Sequence, residues 1–524
     1  MRRSVIRSMI GAVIMAAFGI PLSVSAQIAD QRAPASDLPL VRSLTVEEAV
    51  RLAAENNLGI QVARYEPQIE DLNLVQVRAN YVPSFTSTFQ SVSRTQPNQN
   101  FLQGALISSD DQFVSNQGVT ASLPWGGTYD IGWDSSKFES NNFSSTFNPV
   151  LRSNISARVT QPLLRNFTID NIRQQIQVTQ KNREIADVQL REQVTAISRT
   201  VRNAYWSLAY QRASLDVARQ SLALANESLR STRARVEIGT TPPIDIVADE
   251  AEVAQREEAV IVAEAQIANA EETLRALIYD PSTPDFWSIR IQPDDLPPFQ
   301  PVTVDLDAAI RRALDRRSDL EQVRKSLEIN DVSIRFQRNQ TLPEVTAIFD
   351  YGLAGVGGRQ ILRGPGDFGE GTGAPIGFNE RSFGSVLQDV FRNEYPTWTA
   401  GVNISYPLGR SQQEAALART RLERNRTQTQ LRNAQLQVET EVRQRARQVT
   451  TNQQRVLSTR ASRELQERRL EAEQRKFTAG TSTNFFVLQA QRDLAVARNN
   501  EVRAILDYNL SLVDFETVQE VPVR

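Results

Sequence analysis

The sequence contains no cysteine and no histidine. The first absence excludes disulfides, thiolate metal sites and a cysteine nucleophile. The second removes the commonest general base and the commonest transition-metal ligand, and with them most hydrolase and metalloenzyme designs. Lysine stands only at 137, 181, 325 and 476, so the basic residues are almost all arginine. Over 524 residues the formal charge is −2, which argues against a nucleic-acid partner held by a strong basic field. No catalytic residue, metal site or cofactor is expected. Beyond the N-terminus there is also no apolar run long enough for a spanning helix, so a mature chain that crosses a membrane does not use apolar helices to do so.

What is present begins with an export-type segment. Arg2, Arg3 and Arg7 precede an apolar run from about Met9 to Ile20, and Val24-Ser25-Ala26 offers small residues at a cleavage point. Residues 1–26 read as a signal peptide, because the run is short for a membrane span. Their removal takes three arginines and no acid, leaving −2 − 3 = −5.

The rest of the chain is written twice. Aligning Gly239 with Gly480 (offset 480 − 239 = 241) places Val201-Arg202 on Val442-Arg443, Leu229 on Leu470 and Thr240 on Thr481. The earlier parts align at 309 − 49 = 260, with "LTVEEAVRLAAENN" on "VDLDAAIRRALDRR" and Pro83 on Pro343. The expected layout is an N-terminal extension (27–43), a first repeat (44–279), a Pro-rich linker (280–303), a second repeat (304–516) and a tail (517–524). Each repeat reads as a short helix, a medium helix (about 58–80 and 318–340), a β-region (about 84–162 and 344–408) and a helical hairpin (171–278 and 411–514).

The first hairpin carries a heptad seam. Positions 194, 197, 201, 204, 208, 211, 215, 218, 222, 225 and 229 alternate steps of three and four, and all but Gln211 are apolar. In the second, Arg445 and Asn452 fall in the equivalent seam, which predicts wetter packing or a shifted register. In the β-regions, Trp398, Ala400, Val402, Ile404 and Tyr406 alternate with small or polar residues, as do Val345, Ala347, Phe349 and Tyr351, and Ile155, Ala157 and Val159. One apolar and one polar face over about 9–11 residues is the pattern of a transmembrane β-strand. Two principal strands per repeat make four per chain, whereas a closed barrel needs at least about eight, so the barrel must be shared between copies. A possible extra hairpin, Val119–Phe138, and a Gly-rich stretch around 352–377 read most simply as external loops, with the hairpin's place in the barrel open.

This order of elements, with "VTQPLL" (Val159–Leu164), "ISYPLG" (Ile404–Gly409) and the "IGT" and "AGT" turns, resembles the outer membrane efflux protein family, the TolC-like channel-tunnels. The resemblance spans about Leu44 to Glu516. It implies an α+β membrane protein: coiled-coil hairpins forming a periplasmic α-barrel, joined to a twelve-stranded transmembrane β-barrel shared by a homotrimer in outer-membrane lipid. It implies a passive exit duct for efflux or type I secretion, docking a periplasmic adaptor (membrane fusion protein) and an inner-membrane RND or ABC pump. The family's adaptor contacts fall on Gly239, Thr240, Gly480 and Thr481. Its acidic gate positions fall on Phe486 and Gln489, its gate tyrosine on Phe477 and its tip arginine on Ser482. Asp245 aligns with Phe486 in the first repeat (486 − 241). Asp245, Phe477, Phe486 and Gln489 are thus the candidate gate. Asp249 and Glu250 read as ordinary first-turn acids favoured by the helix dipole. The rival reading is a periplasmic coiled-coil scaffold or adaptor without a pore.

Overall fold

The computed structural model describes residues 41–97, 107–142, 145–284, 286–294, 299–366, 373–409 and 411–520. The segment read as a signal peptide lies outside them. The first repeat runs β1 (Val41–Leu44), α1 (Val46–Asn56), α2 (Leu58–Ala63), α3 (Tyr65–Arg78), β2 (Ser84–Pro97), β3 (Ile107–Ser122), β4 (Thr128–Ser140), β5 (Phe147–Pro162), α4 (Asn171–Glu237) and α5 (Ile244–Ile278). After β6 (Arg290–Pro293), the second runs α6 (Leu306–Arg316), α7 (Ser318–Gln340), β7 (Glu344–Arg363), β8 (Pro375–Arg381), α8 (Phe383–Phe391), β9 (Pro396–Ser405), α9 (Gln412–Thr478) and α10 (Asn484–Thr517).

The helices start where side chains satisfy their first amides. Thr45 and Glu48 form a capping box at α1, Asp170 caps α4, Asp305 caps α6, and Ser411 with Glu414 boxes α9. The medium helix of the first repeat is broken after Ala63. Pro67 has no N–H to donate to the Ala63 carbonyl, so α2 ends there and α3 begins anew. Both long helices hold 67 residues, about 100 Å each. In the lower half α5 packs on α4, α4 on α10 and α10 on α9. In the upper half the row is α3, α4, α7 and α9. Each chain therefore presents four helices side by side at every level.

The duplication is visible in the packing. Ala49 and Ala53 of α1 are buried against Val201, Tyr205 and Leu208 of α4, and the equivalent Ala309 and Ala313 of α6 are buried with Val442 and Ala446 of α9. The α9 seam keeps the register of α4, and no shift is seen: Ala446 is buried where Tyr205 is in α4 (446 − 241 = 205), while Arg445, like Ala204, is only half-buried and turns to Asp514 at 2.7 Å. Asn452 stays in the seam and satisfies its amide on the Asp507 carbonyl at 2.8 Å. Asp514 also accepts from Arg199 at 2.6 Å, so one carboxylate ties the two repeats together.

The Pro-rich segment read as a linker is packed. Its residues Arg290–Pro293 pair in parallel with β1, and Phe286, Ile289 and Ile291 are buried in the first core. Arg275 holds the Ile289 carbonyl and Arg212 the Ile291 carbonyl. At the other end, Val518 is buried in the second core and Gln519 accepts from Arg312, so the residues after α10 also pack.

The sheet departs most from expectation. It has seven strands, in the antiparallel order β2-β3-β4-β5-β7, with β9 and β8 end to end on the far side of β7. The four-strand count is therefore too low: the hairpin turning at Gly126-Gly127 is β3 and β4, inside the sheet. The Gly-rich stretch is only partly a loop, since β7 runs through it to Arg363 and β8 and α8 follow. Among the described residues no helix is long and apolar enough to cross a membrane.

Leu208 is fully buried where α1, α4 and the small β1–β6 sheet meet. Leu208→Ala is expected to destabilise the protein by about 2–5 kcal/mol, read as a fall of several degrees in the thermal midpoint of the helical circular-dichroism signal. An unchanged midpoint contradicts this packing.

Candidate functional site

The two hairpin ends lie together at the end of the molecule remote from the sheet. Each is built by the same hydrogen bonds. Gly239 has φ +77° and Gly480 φ +76°, the left-handed region, and a side chain at either would meet nothing. Backbone strain, not space, therefore selects glycine. The amide of Thr240 bonds to the Arg235 carbonyl and that of Gly239 to Val236; Thr481 bonds to Lys476 and Gly480 to Phe477. This is the Schellman closure of a helix. Each threonine hydroxyl adds a second bond to the same carbonyl, Thr240 to Arg235 at 3.0 Å and Thr481 to Lys476 at 3.1 Å. All four Gly-Thr residues are exposed, so the repeated turn both ends a helix and presents its backbone outward.

The candidate gate residues have separate surroundings. Phe486 is 51 % exposed and Phe485 65 %, their rings meeting edge-on at 5.6 Å; neither is packed between helices of its own chain. Phe477 is half-buried under the Arg235 guanidinium, 4.4 Å from the ring centre, which couples the two turns. Gln489 donates to Asp493 at 2.9 Å. Asp245 is half-buried in the first turn of α5. The structure does not gather these four into one cluster.

It gathers others instead. Asp249 and Glu252 of α5 are each only 1 % exposed. Asn484 at the start of α10 donates to Asp249 at 2.9 Å, and Arg492 reaches Glu252 at 2.7 Å. Arg256 completes the Glu252 pairing at 2.6 Å. Asp249 is therefore a buried cross-repeat contact, not an ordinary first-turn acid, whereas Glu250 is exposed and pairs with Arg233. Asp249 Oδ2 and Asn484 Oδ1 have no partner. A buried polar link that is only half satisfied is costly to keep. The spacing Asp249, Glu252, Arg256 is a polar stripe on one helix face, the sequence signal that marks this clasp.

The chain thus joins a duplicated pair of long helical hairpins to one antiparallel sheet. The model of the outer membrane efflux protein family matches residues 49–278 and 309–517, and the chain belongs to that family. Among solved structures, it is similar to CusC, described for its transmembrane channel formation (11 % identity, 97 % of this chain and 99 % of that one, TM-score 0.64). It is similar to the CmeC outer membrane channel of Campylobacter jejuni (12 %, 96 % and 94 %, 0.62) and to the outer membrane protein VceC of Vibrio cholerae (14 %, 90 % and 95 %, 0.62). At such identity these likenesses show the fold. No curated protein matches the chain by sequence. It is an outer-membrane efflux channel protein whose helical part lies in the periplasm.

The second turn carries a pH-sensitive brace. Glu473 accepts from Lys476 at 2.7 Å and from Ser482 at 2.9 Å, and these bonds, the lysine's first, hold its carboxyl below the ordinary 4.5. A depressed carboxyl stabilises fully above its unfolded value, and the gain is lost as pH falls through the lower folded value. Amide-exchange protection at residues 479–483 is expected to drop between neutral pH and about 3, and to lose that pH dependence in Glu473→Gln. Equal pH dependence in both proteins contradicts the brace.

Proposed function

We propose that the chain is the passive exit duct of an efflux or type I secretion assembly, acting as a homotrimer. The observation that carries this reading is a sheet with an exposed apolar face and two unpaired edges, joined directly to helices of about 100 Å. In β2, Phe85 is 68 % exposed, and in β9 Trp398 is 68 % exposed and Ile404 72 %. Among the described residues β2 pairs only with β3 and β9 only with β7. Such a sheet is at home in lipid only when its edges close on further copies. A periplasmic scaffold has no use for it.

In the proposed ring the sheets close into one transmembrane barrel and the helix rows stand as a hollow periplasmic wall. Transport then needs no nucleophile or cofactor; it needs a bore and a field at the constriction. Gly239, Thr240, Gly480 and Thr481 form the docking points for a periplasmic adaptor, which links the duct to an RND or ABC pump in the inner membrane. Phe486, repeated around the ring, gives an apolar constriction, and Asp245, Phe477 and Gln489 are further gate candidates, each in its own surroundings. The clasp of Asp249–Asn484 and Glu252–Arg492 keeps α5 against α10, and its release lets the tips part.

Planar bilayers test this. The purified protein is expected to conduct weakly. Asp249→Ala combined with Arg492→Ala is expected to raise the conductance, because it removes both links between α5 and α10 and leaves Glu252 only Arg256 of its own helix. Phe486→Gly is expected to raise it as well. No conductance from any of the three contradicts the duct.

A further inference from the structure

The hairpin β3–β4 has no helix of its own, yet it lies within the sheet between β2 and β5. Strand register shows what it contributes. One cross-strand row reads Phe85, Val119, Ile131, Ala157, Tyr351 and Trp398, apolar on all six strands. The adjacent row on the opposite face reads Ser84, Thr120, Asp130, Arg158, Asp350 and Thr399, polar on all six. The Arg158–Asp350 ion pair, at 2.5 Å, lies in that polar row. The two hairpin strands thus carry the same sidedness as the strands that lead into helices. A loop outside the membrane has no need to match it.

We infer that β3 and β4 are part of the membrane-spanning wall, so that each chain supplies six strands and a closed trimer eighteen, with bilayer hydrocarbon against the apolar face. This rests on the duct reading above. The strands are long enough: the ten residues of β9, tilted about 40°, rise about 25 Å, the height of an apolar barrel belt. The belt has an upper limit on the hairpin, where Lys137 and Glu139 pair at 3.5 Å on the same face of β4.

Width points the same way. Four helices in a row at about 10 Å each occupy about 40 Å of arc. Six strands about 4.8 Å apart and tilted about 40° occupy about 38 Å, and four strands only about 25 Å. Six strands fit the four-helix row above which they stand. Six is also an even number, so β2 of one copy meets β9 of the next antiparallel and every strand alternates around the ring.

Helix α8 extends the same surface. Val386 sits against Gly355 and Gly357 of β7, where a Cβ on Gly355 would lie 2.4 Å from the Val386 carbonyl oxygen. Leu387 and Phe391 border a groove with Val119, Ile131 and Trp133 of the hairpin. The only charged side chain of α8, Asp389, is neutralised by Arg381 at 2.6 Å. An apolar helix with its one charge paired suits lipid beside the wall.

Single cysteines in this cysteine-free chain test the inference in phosphatidylcholine vesicles. Val119→Cys and Ile131→Cys are expected to resist a membrane-impermeant maleimide after reconstitution and, when labelled with a fluorescent maleimide in denaturant beforehand, to be quenched by spin-labelled lipid. Thr120→Cys and Asp134→Cys are expected to label and to escape quenching. Val402→Cys and Thr399→Cys in β9 set the reference contrast. Contrast in β9 with uniform labelling of the hairpin places the hairpin outside the membrane and overturns the eighteen-strand wall while the duct stands. No contrast in β9 overturns the duct and this inference with it. Electron cryomicroscopy of the unmodified protein in nanodiscs gives a reading free of mutation: eighteen strands around the barrel support the wall, and twelve overturn it.

Discussion

A β-sheet edge exposes a row of amide and carbonyl groups, and in hydrocarbon each unpaired group costs several kcal/mol. This constraint governs the molecule. The sheet offers an apolar face across six strands and then stops, and among the described residues nothing pairs with the outer sides of β2 and β9. The chain alone leaves that surface unresolved. In the proposed duct, association is therefore part of the fold, and the long helix rows below inherit whatever ring the strands impose.

The duplication divides the work below the membrane. Both repeats use the same capped helices, the same buried alanines and the same Gly-Thr closure. They differ where they meet. The first tip brings the carboxylates, Asp249 and Glu252, and the second brings Asn484 and Arg492. Arg235 from the first turn lies on Phe477 of the second. The contact between tips is thus made of unlike partners, carboxylate against amide or guanidinium and guanidinium against an aromatic ring. Further from the tips the acid comes from the other side: Asp514 of the second repeat pairs with Arg199 of the first and with Arg445 of its own.

Much of this was legible before the structure. The heptad of Val, Ala and Leu from 194 to 229 marks one helix over Asn171–Glu237, because period alone decides a long amphipathic element. The Gly-Thr turns were legible because only a positive φ explains glycine there. The hairpin Val119–Phe138 was legible as a hairpin but its place in the sheet was not, because Asn116, Gly118 and Gly132 dilute the alternation and the sidedness emerges only from cross-strand register. The packed linker was hidden for a similar reason: Ile289 and Ile291 alternate for just two steps inside a Pro-rich run. Helix α8 stands behind a Gly-rich stretch that reads as loop. The clasp was missed because it joins residues 235 positions apart, and a single sequence carries no sign of that contact beyond a polar stripe on α5. The cut after Ala63 needed only Pro67, a signal present in the sequence but outweighed by the run of helix formers around it.

Closure of the sheet on other copies is the claim from which the duct follows, and the absence of native cysteine makes it directly measurable. Thr88→Cys on the polar face of β2 can be combined in turn with Thr399→Cys, Gly401→Cys or Asn403→Cys on the polar face of β9, and oxidised in outer-membrane preparations. The account predicts that one of these pairs yields a covalent ladder that ends at three chains. Monomer alone from every pair, or a ladder that continues past three, contradicts it.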